Sequence, residues 1–387
     1  MYLLYSNLSK IGIVNLPKAK KLVFFELKGI KVRDKLKSTS PVRKPAHTFS
    51  YEFLGRNEMK RKLLSAILSV AMVATLLVGC AGKTDAAAPA ASSGGLIKVG
   101  IINNDPNESG YRTANDADLK KTFCEANGYD ASFAYSLKND EQITAAQKFI
   151  TDGVDYLLLS AADTAGWDSV LKDAQNAGVK VILFDRTIDA DPSLYEASIV
   201  SDMAKEGETA VSWLASQNLS EYNVIHIQGV MGSAAQQGRS GALDAKVAAE
   251  ASWNIVTQQT AEWNAENAQQ IVQSVIDAGT PFNVIYAEND DMAKGAVAAL
   301  DKANISHGVG KDVIVMGFDC NKWALEELLK QNWNYDGQCN PFQSSYIDEI
   351  IKKLENGETI AEKTIIMDEK GFDATTITQA DVDSYGI

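Results

Sequence analysis

Val179–Asp189 reads V-K-V-I-L-F-D-R-T-I-D. Every position of Val179–Phe184 except Lys180 is apolar, the pattern of a strand buried on both faces of a sheet. The run stops at Asp185-Arg186, where an acceptor-only carboxylate stands beside a five-donor guanidinium. A parallel sheet delivers the last residues of its strands to the carboxyl edge, where open α/β folds hold ligands. There an Asp-Arg pair can bind a polyol, accepting from its hydroxyls and donating to its oxygens. Taken alone, the pair reads more simply as an ion pair at a strand end. The surrounding chain changes that weighting.

Upstream, the patterning predicts strands over Ile97–Asn103, Ala131–Ser136 and Val154–Ser160, alternating with helices over Tyr111–Ala126, Glu141–Thr151 and Ala165–Ala177. Asn127-Gly128, Asp152-Gly153 and Ala177-Gly178 recur every 25 residues, each just after a helical pattern, where a left-handed residue is wanted. Repeated βα units of this length give a parallel sheet with right-handed crossovers.

Downstream the alternation repeats. Helices are expected over Ala204–Ser216, Ala234–Glu250, Ala265–Ala278 and Asp291–Lys302, with strands over Asn223–Gln228, Ile255–Gln259, Phe282–Ala287 and Val313–Phe318. The last expected elements are a helix over Trp323–Leu329, a strand over Trp333–Gly337, a helix over Pro341–Glu355 and a strand near Lys363–Met367. The periodicity therefore gives two α/β halves of similar size.

The 387 residues suffice for two or three domains, and their 45% apolar and 22% charged content is that of a globular protein. A net charge of −13 argues against nucleic acid, which needs a basic footprint. The first 58 residues differ, with twelve Lys/Arg against four Asp/Glu and no sustained periodicity. Next come Met59-Lys60-Arg61-Lys62, the apolar run Leu63–Val78 and Gly79-Cys80, the order of a signal peptide. Residues 1–58 then read as upstream over-translation with Met59 as the start. Leu77-Val78-Gly79-Cys80 resembles the bacterial lipobox, which implies a diacylglyceryl group on Cys80 and a membrane anchor through it. Residues 81–95 are an Ala/Ser/Gly-rich tether.

No dinucleotide G-x-G-x-x-G, P-loop, H-E-x-x-H or G-x-S-x-G motif is present, so nothing calls for a cofactor or an enzyme. No Cys/His spacing suggests zinc, and no metal is expected. Cys124, Cys320 and Cys339 could supply one disulfide in an exported protein, and sequence does not give its connectivity.

Several stretches together resemble a known family. They are Glu108-Ser109-Gly110-Tyr111-Arg112, Thr164-Ala165-Gly166-Trp167, Phe184–Asp189, Ser193-Leu194-Tyr195, Gln228-Gly229, Ala287–Met292 and Gly317-Phe318-Asp319. Over Leu96–Ile387 the chain resembles the type I periplasmic sugar-binding proteins of the ribose and galactose class, and most of all the galactofuranose-binding receptors of ABC transporters. The resemblance implies two Rossmann-like parallel-sheet domains, 96–201 with 340–365 and 202–339 with 366–387. They would be joined by three crossings near Ser201, Cys339 and Ile366, with a ligand cleft between. Carried over by motif, the ligand contacts fall on Tyr111, Arg112, Asp185 and Arg186 in the first domain. In the second they fall on Arg239, Trp263, Asn289 and Asp319, and near the second crossing on Asn340, less directly Gln338. Tyr111 stands where the subgroup has Trp, and Cys320 where relatives commonly have Gly.

The resemblance implies a monomeric, lipid-anchored receptor that delivers a monosaccharide, a hexose in pyranose or furanose form, to an ABC permease. A sensor that hands its liganded form to a chemoreceptor or sensor kinase is the alternative. Each residue also has a plainer reading. Trp167 fits a core position better than a ligand contact, Tyr111 could pack a helix start, Arg239 could be solvated, and Asn289 or Asp319 could cap helices.

Overall fold

The computed structural model describes residues 95–387. Cys80 and the expected signal and tether lie outside the described residues.

The first sheet is built from β1 (Ile97–Asn103), β2 (Tyr129–Tyr135), β3 (Tyr156–Leu159), β4 (Lys180–Asp185), β5 (Ala197–Val200) and β11 (Thr364–Ile366), in the order β2-β1-β3-β4-β5-β11. All its pairings are parallel. The apolar residues alternate between two packed faces, as a doubly covered sheet requires. Val99, Ile101, Leu158, Ile182 and Phe184 pack with α1 (Gly110–Thr122) and α9 (Ser344–Glu355). Ile102, Leu157, Leu159, Val181 and Leu183 pack with α2 (Asn139–Asp152) and α3 (Asp168–Ala177).

The second sheet repeats the plan with β6 (Tyr222–Gln228), β7 (Trp253–Thr260), β8 (Val284–Ala287), β9 (Ile314–Phe318), β10 (Tyr335–Gly337) and β12 (Gly371–Asp373). Its order is β7-β6-β8-β9-β10-β12, and β12 runs antiparallel to β10. One face carries α4 (Met203–Ser216) and α5 (Ala234–Ala249). The other carries α6 (Ala265–Asp277), α7 (Asp290–Ala303), α8 (Lys322–Leu329) and α10 (Gln379–Tyr385). The chain passes between the sheets after β5, after β10 and after β11.

The expected strands and helices are present, most with their ends displaced by one to three residues. Gly128, Gly153 and Gly178 take φ of 93°, 71° and 77°, the left-handed stop that their spacing calls for. Two strands and a helix are additional. β5 follows β4 without an α-helix between them, since only the short turn Pro192–Leu194 intervenes, so the βα alternation does not announce it. β12 and α10 are short and lie in the polar C-terminal segment. Cys124, Cys320 and Cys339 are all free, so the disulfide left open by the sequence is not formed.

Two glycines bring α4 against α5. A Cβ on Gly207 would sit 2.8 Å from the Gly238 carbonyl oxygen, and one on Gly238 would sit 2.5 Å from the Met203 carbonyl carbon. This approach places Glu206 of α4 beside Arg239 of α5. We predict that Gly238→Ala lowers stability by about 1–3 kcal/mol, the usual cost of overpacking. Urea unfolding reads this directly, and a wild-type midpoint would contradict it.

Candidate functional site

At the carboxyl edge of the first sheet, Asp185 gathers three loops. Its carboxylate accepts from Tyr111 Oη at 2.9 Å, Arg112 Nη2 at 2.8 Å and Ser160 Oγ at 2.7 Å. Ser109 caps α1 by accepting from the Arg112 backbone N–H, which holds Tyr111 and Arg112 on the first helical turn. Arg112 Nη1 also donates to Asn103 Oδ1 at 2.7 Å. Burial pushes the Asp185 carboxyl up, but the Arg112 and Arg186 guanidinium groups and the Ser160 bond outweigh it and hold its pKa below the ordinary value. Arg186 Nε lies 3.6 Å from Asp185 Oδ2.

The second lobe answers with another buried arginine. Arg239 donates from Nε to Glu206 Oε2 at 2.7 Å, from Nη1 to the Glu288 carbonyl, and from Nη2 to Asp319 Oδ1 at 3.4 Å. Burial pushes the Asp319 carboxyl well above the usual carboxylate range, with Arg239 acting against it. The turn after β9 is held from below by two buried carboxyls. Asp290 Oδ2 accepts from the Asn321 N–H at 2.8 Å, and Asp336 Oδ1 accepts from the Cys320 N–H at 3.3 Å. The remaining oxygens, Asp290 Oδ1 and Asp336 Oδ2, are buried without a hydrogen-bond partner. Burial raises both carboxyls, Asp336 to about 8, and the Asp336 charge raises Asp290 further.

Trp263 follows β7, and its indole packs so closely on Gly229 that no Cβ fits there. Gly229 is fixed in turn by a 2.7 Å bond from its N–H to Glu288 Oε2, whose other oxygen meets His226 at 2.8 Å and Ser240 at 2.5 Å. Asn289 accepts from the Met292 N–H at 2.9 Å, so it caps α7 and also faces the other lobe.

The lobes meet over a narrow, polar cavity. Of the expected contacts, Tyr111, Arg112, Asp185, Arg186, Arg239, Trp263, Asn289 and Asp319 line it. Asn340 is not in the lining: its side-chain oxygen accepts from the Phe342 N–H at 3.0 Å, which commits it to the turn before α9. Gln338 lines a separate surface hollow. Trp167 is fully buried with its indole N–H on the Asp163 carbonyl, a core residue as its pattern indicated. The lining also includes Glu108, Met203 and Cys339, which the sequence reading did not place among the ligand contacts. Glu108 was legible, since it stands one helical turn before Arg112 in the same motif. In the fold its side chain is 3% exposed and 3.6 Å from Arg112 Nε.

Both ends of the cleft are tied across the lobes. The Gly110 N–H donates to Asp291 Oδ2 at 2.9 Å, and the Thr164 N–H to the Gly232 carbonyl at 3.1 Å. The Arg186 guanidinium lies over the Trp263 ring, 5.7 Å from its centroid. Among the lining residues, both Glu108 carboxylate oxygens, Arg112 Nε, Arg186 Nε and Trp263 Nε1 are buried without a hydrogen-bond partner. Buried polar atoms are rarely left so, and here they converge on one cavity.

Two repeated α/β lobes that close on a polar cavity define a small-solute receptor. A family of periplasmic binding protein domains matches residues 99–346, and the chain belongs to it. More narrowly, it is a type I periplasmic sugar-binding protein of the ribose and galactose class, a family of transporter substrate-binding proteins and not of enzymes. The chain is 31% identical over 324 residues to the fructose import binding protein FruE of Bifidobacterium longum, covering 81% of this chain and 96% of that one. It is 28% identical over 262 residues to the galactofuranose-binding protein YtfQ of Escherichia coli, covering 66% and 81%. A crystal structure from Mycobacterium smegmatis in complex with β-D-fucofuranose superposes with a TM-score of 0.68 at 28% identity, covering 74% and 94%. The family places the protein outside the cytoplasm. Among the described residues no helix is long and apolar enough to cross a membrane.

Asp185 is thus a partner for buried groups before any ligand arrives. We predict that Asp185→Ala destabilises the protein by about 3–5 kcal/mol, because Arg112 is left buried without its carboxylate. Asp185→Asn should cost less, since Asn accepts a left-handed backbone and keeps the hydrogen-bonding shape. Chemical denaturation of both variants checks this, and wild-type stability in Asp185→Ala would contradict it.

Proposed function

We propose that the protein is a receptor for one neutral monosaccharide, bound in furanose form, which it delivers to an ABC permease. The observation that carries this reading is the set of unpartnered donors and acceptors on residues that line one cavity. Sugar hydroxyls need both, and Glu108 supplies acceptors while Arg186 and Trp263 supply donors. The lining holds three acids (Glu108, Asp185, Asp319) and three arginines (Arg112, Arg186, Arg239), a balance that suits a neutral ligand over a phosphate ester. The Trp263 indole offers an apolar face for sugar C–H groups beside its N–H. The furanose preference rests on the similar proteins, whose names and titles specify galactofuranose and fucofuranose.

On this reading Tyr111, Arg112 and Asp185 form the floor of the first lobe, and Arg186 reaches the ligand itself. In the second lobe Arg239 and Asp319 face them, Asn289 donates from its free amide nitrogen, and Trp263 forms the wall. Asn340 acts by shaping the second crossing. The protein works as a monomer tethered by a diacylglyceryl group on Cys80.

Calorimetry against pentoses, hexopyranoses and furanose-rich sugars such as fructose should find one tight binder. Trp263→Phe and Arg186→Lys should each weaken it roughly tenfold to hundredfold, the cost of about 1–3 kcal/mol for an unmet buried group. Failure of the whole sugar panel alongside clear binding of an amino acid or nucleoside would refute the ligand class. The anchor has its own test: metabolic fatty-acid labelling should vanish in Cys80→Ser, and labelling that persists would exclude Cys80 as the lipidated residue.

A further inference from the structure

Where the chain crosses between the lobes, each crossing contributes one acidic or thiol side chain to a single cluster. Glu206 comes from the first turn of α4 after the first crossing, Cys339 from the second and Glu369 from the third. The Cys339 sulfur and one oxygen of each carboxylate lie within 4.8 Å of one another. No sequence spacing signals this group, because its members are separated by whole elements.

The cluster is oriented from outside. Glu369 Oε1 accepts from Ser201 Oγ at 2.7 Å and from the Asn340 N–H at 2.6 Å. Glu206 Oε2 accepts from Arg239 Nε at 2.7 Å. That leaves Glu206 Oε1, on a side chain 3% exposed, buried and without a hydrogen-bond partner outside the cluster, where the Cys339 thiol is its neighbour. Carboxylates fixed through one oxygen by neighbouring donors, with the other free, are what metal sites present to an ion.

We propose that Glu206, Cys339 and Glu369 form a binding site for a divalent transition metal, zinc by preference, with a water completing a four-coordinate shell. Thiolate with carboxylate suits zinc and its neighbours. Magnesium and calcium take all-oxygen shells of six or more ligands and do not fit three protein groups that include sulfur. Charge closes as well. Two carboxylates and a thiolate carry −3, Arg239 carries +1 and the ion +2, which sums to zero. Without an ion, burial pushes the Glu369 carboxyl up to about 9 and the Cys339 thiol well above its usual range, while Glu206 stays paired with Arg239. Metal binding therefore displaces protons.

The ion has a route in, since Glu206 and Glu369 line an open hollow of about 670 Å³ together with Asp202, Lys205, Asp368 and Lys370. On the other side Cys339 lines the sugar cavity. The site therefore stands in the partition between them and would join all three crossings through one ion, bracing the hinge on which closure turns.

Cobalt(II) alone, titrated into the reduced full-length chain, tests the site without any sugar. The expected result is an equimolar complex with the visible bands of tetrahedral cobalt and a thiolate-to-cobalt charge-transfer band. These should be lost in Cys339→Ser, retained in Cys124→Ser, and formed with affinity lowered about tenfold or more in Glu369→Gln. Binding that strengthens as pH rises would support the displaced protons. Absence of a thiolate band, or a band that survives Cys339→Ser, overturns the proposal. Should Cys339→Ser fold poorly by circular dichroism, Glu369→Gln decides, and unchanged cobalt affinity in that variant overturns the site.

Discussion

Of the three buried arginines that line the cleft, Arg112 and Arg239 are tightly paired, and the cleft is arranged around how that is done. Arg112 rests on Asp185 in the first lobe, and Arg239 on Glu206 with Asp319 in the second. A lone buried charge would cost several kcal/mol, so each arginine fixes its carboxylates and, through them, the loops that carry them. Asp185 alone ties the end of β4 to the start of α1 and the end of β3. The pairs add little net stability over apolar packing. What they give is placement: polar groups held at set positions before a ligand arrives, which lowers the ordering cost of binding.

The backbone carries the same signature. Asp185, Trp263 and Asp319 take φ of 65°, 64° and 109°, conformations that non-glycine residues rarely adopt. Glu262 and Cys320, next to Trp263 and Asp319, share this backbone, whereas Asn218 and Asn304 sit at helix ends, where a left-handed asparagine is ordinary. At Trp263 and Asp319 no helix end explains the strain. Each stands at a strand's carboxyl end, over a support built for it: Glu288 beneath Gly229 and Trp263, and Asp290 and Asp336, which accept from the Asn321 and Cys320 N–H groups, beneath Asp319. Strain held by surrounding structure at a ligand site is part of its preorganisation.

Much of this was legible in the sequence. Apolar runs ending in charged residues located β4 and its Asp185-Arg186 turn, and glycines at fixed spacing located the helix stops. The site residues were reached through motif resemblance, and most of them do line one cavity. Three things escaped. β5 was hidden because a short turn replaces the expected helix before it. Asn340, expected at the ligand by motif, lies outside the cavity lining, and its side-chain oxygen accepts from the Phe342 N–H, a local bond that the motif does not announce. The pairing of Glu206 with Arg239 depends on two glycines on different helices, Gly207 and Gly238, whose contact no local pattern announces. Long-range partnership of this kind is set by topology, which periodicity describes only coarsely.

The central claim is that the unpartnered atoms of the closed cavity are the ligand's contacts. A crystal structure with the tightest-binding sugar tests it most directly. The account predicts ligand hydroxyls within hydrogen-bonding distance of Trp263 Nε1, Arg186 Nε and Glu108, with the Asp185 bonds to Tyr111, Arg112 and Ser160 unchanged. A sugar bound elsewhere, or one in this cavity that leaves those atoms unpaired, would contradict it.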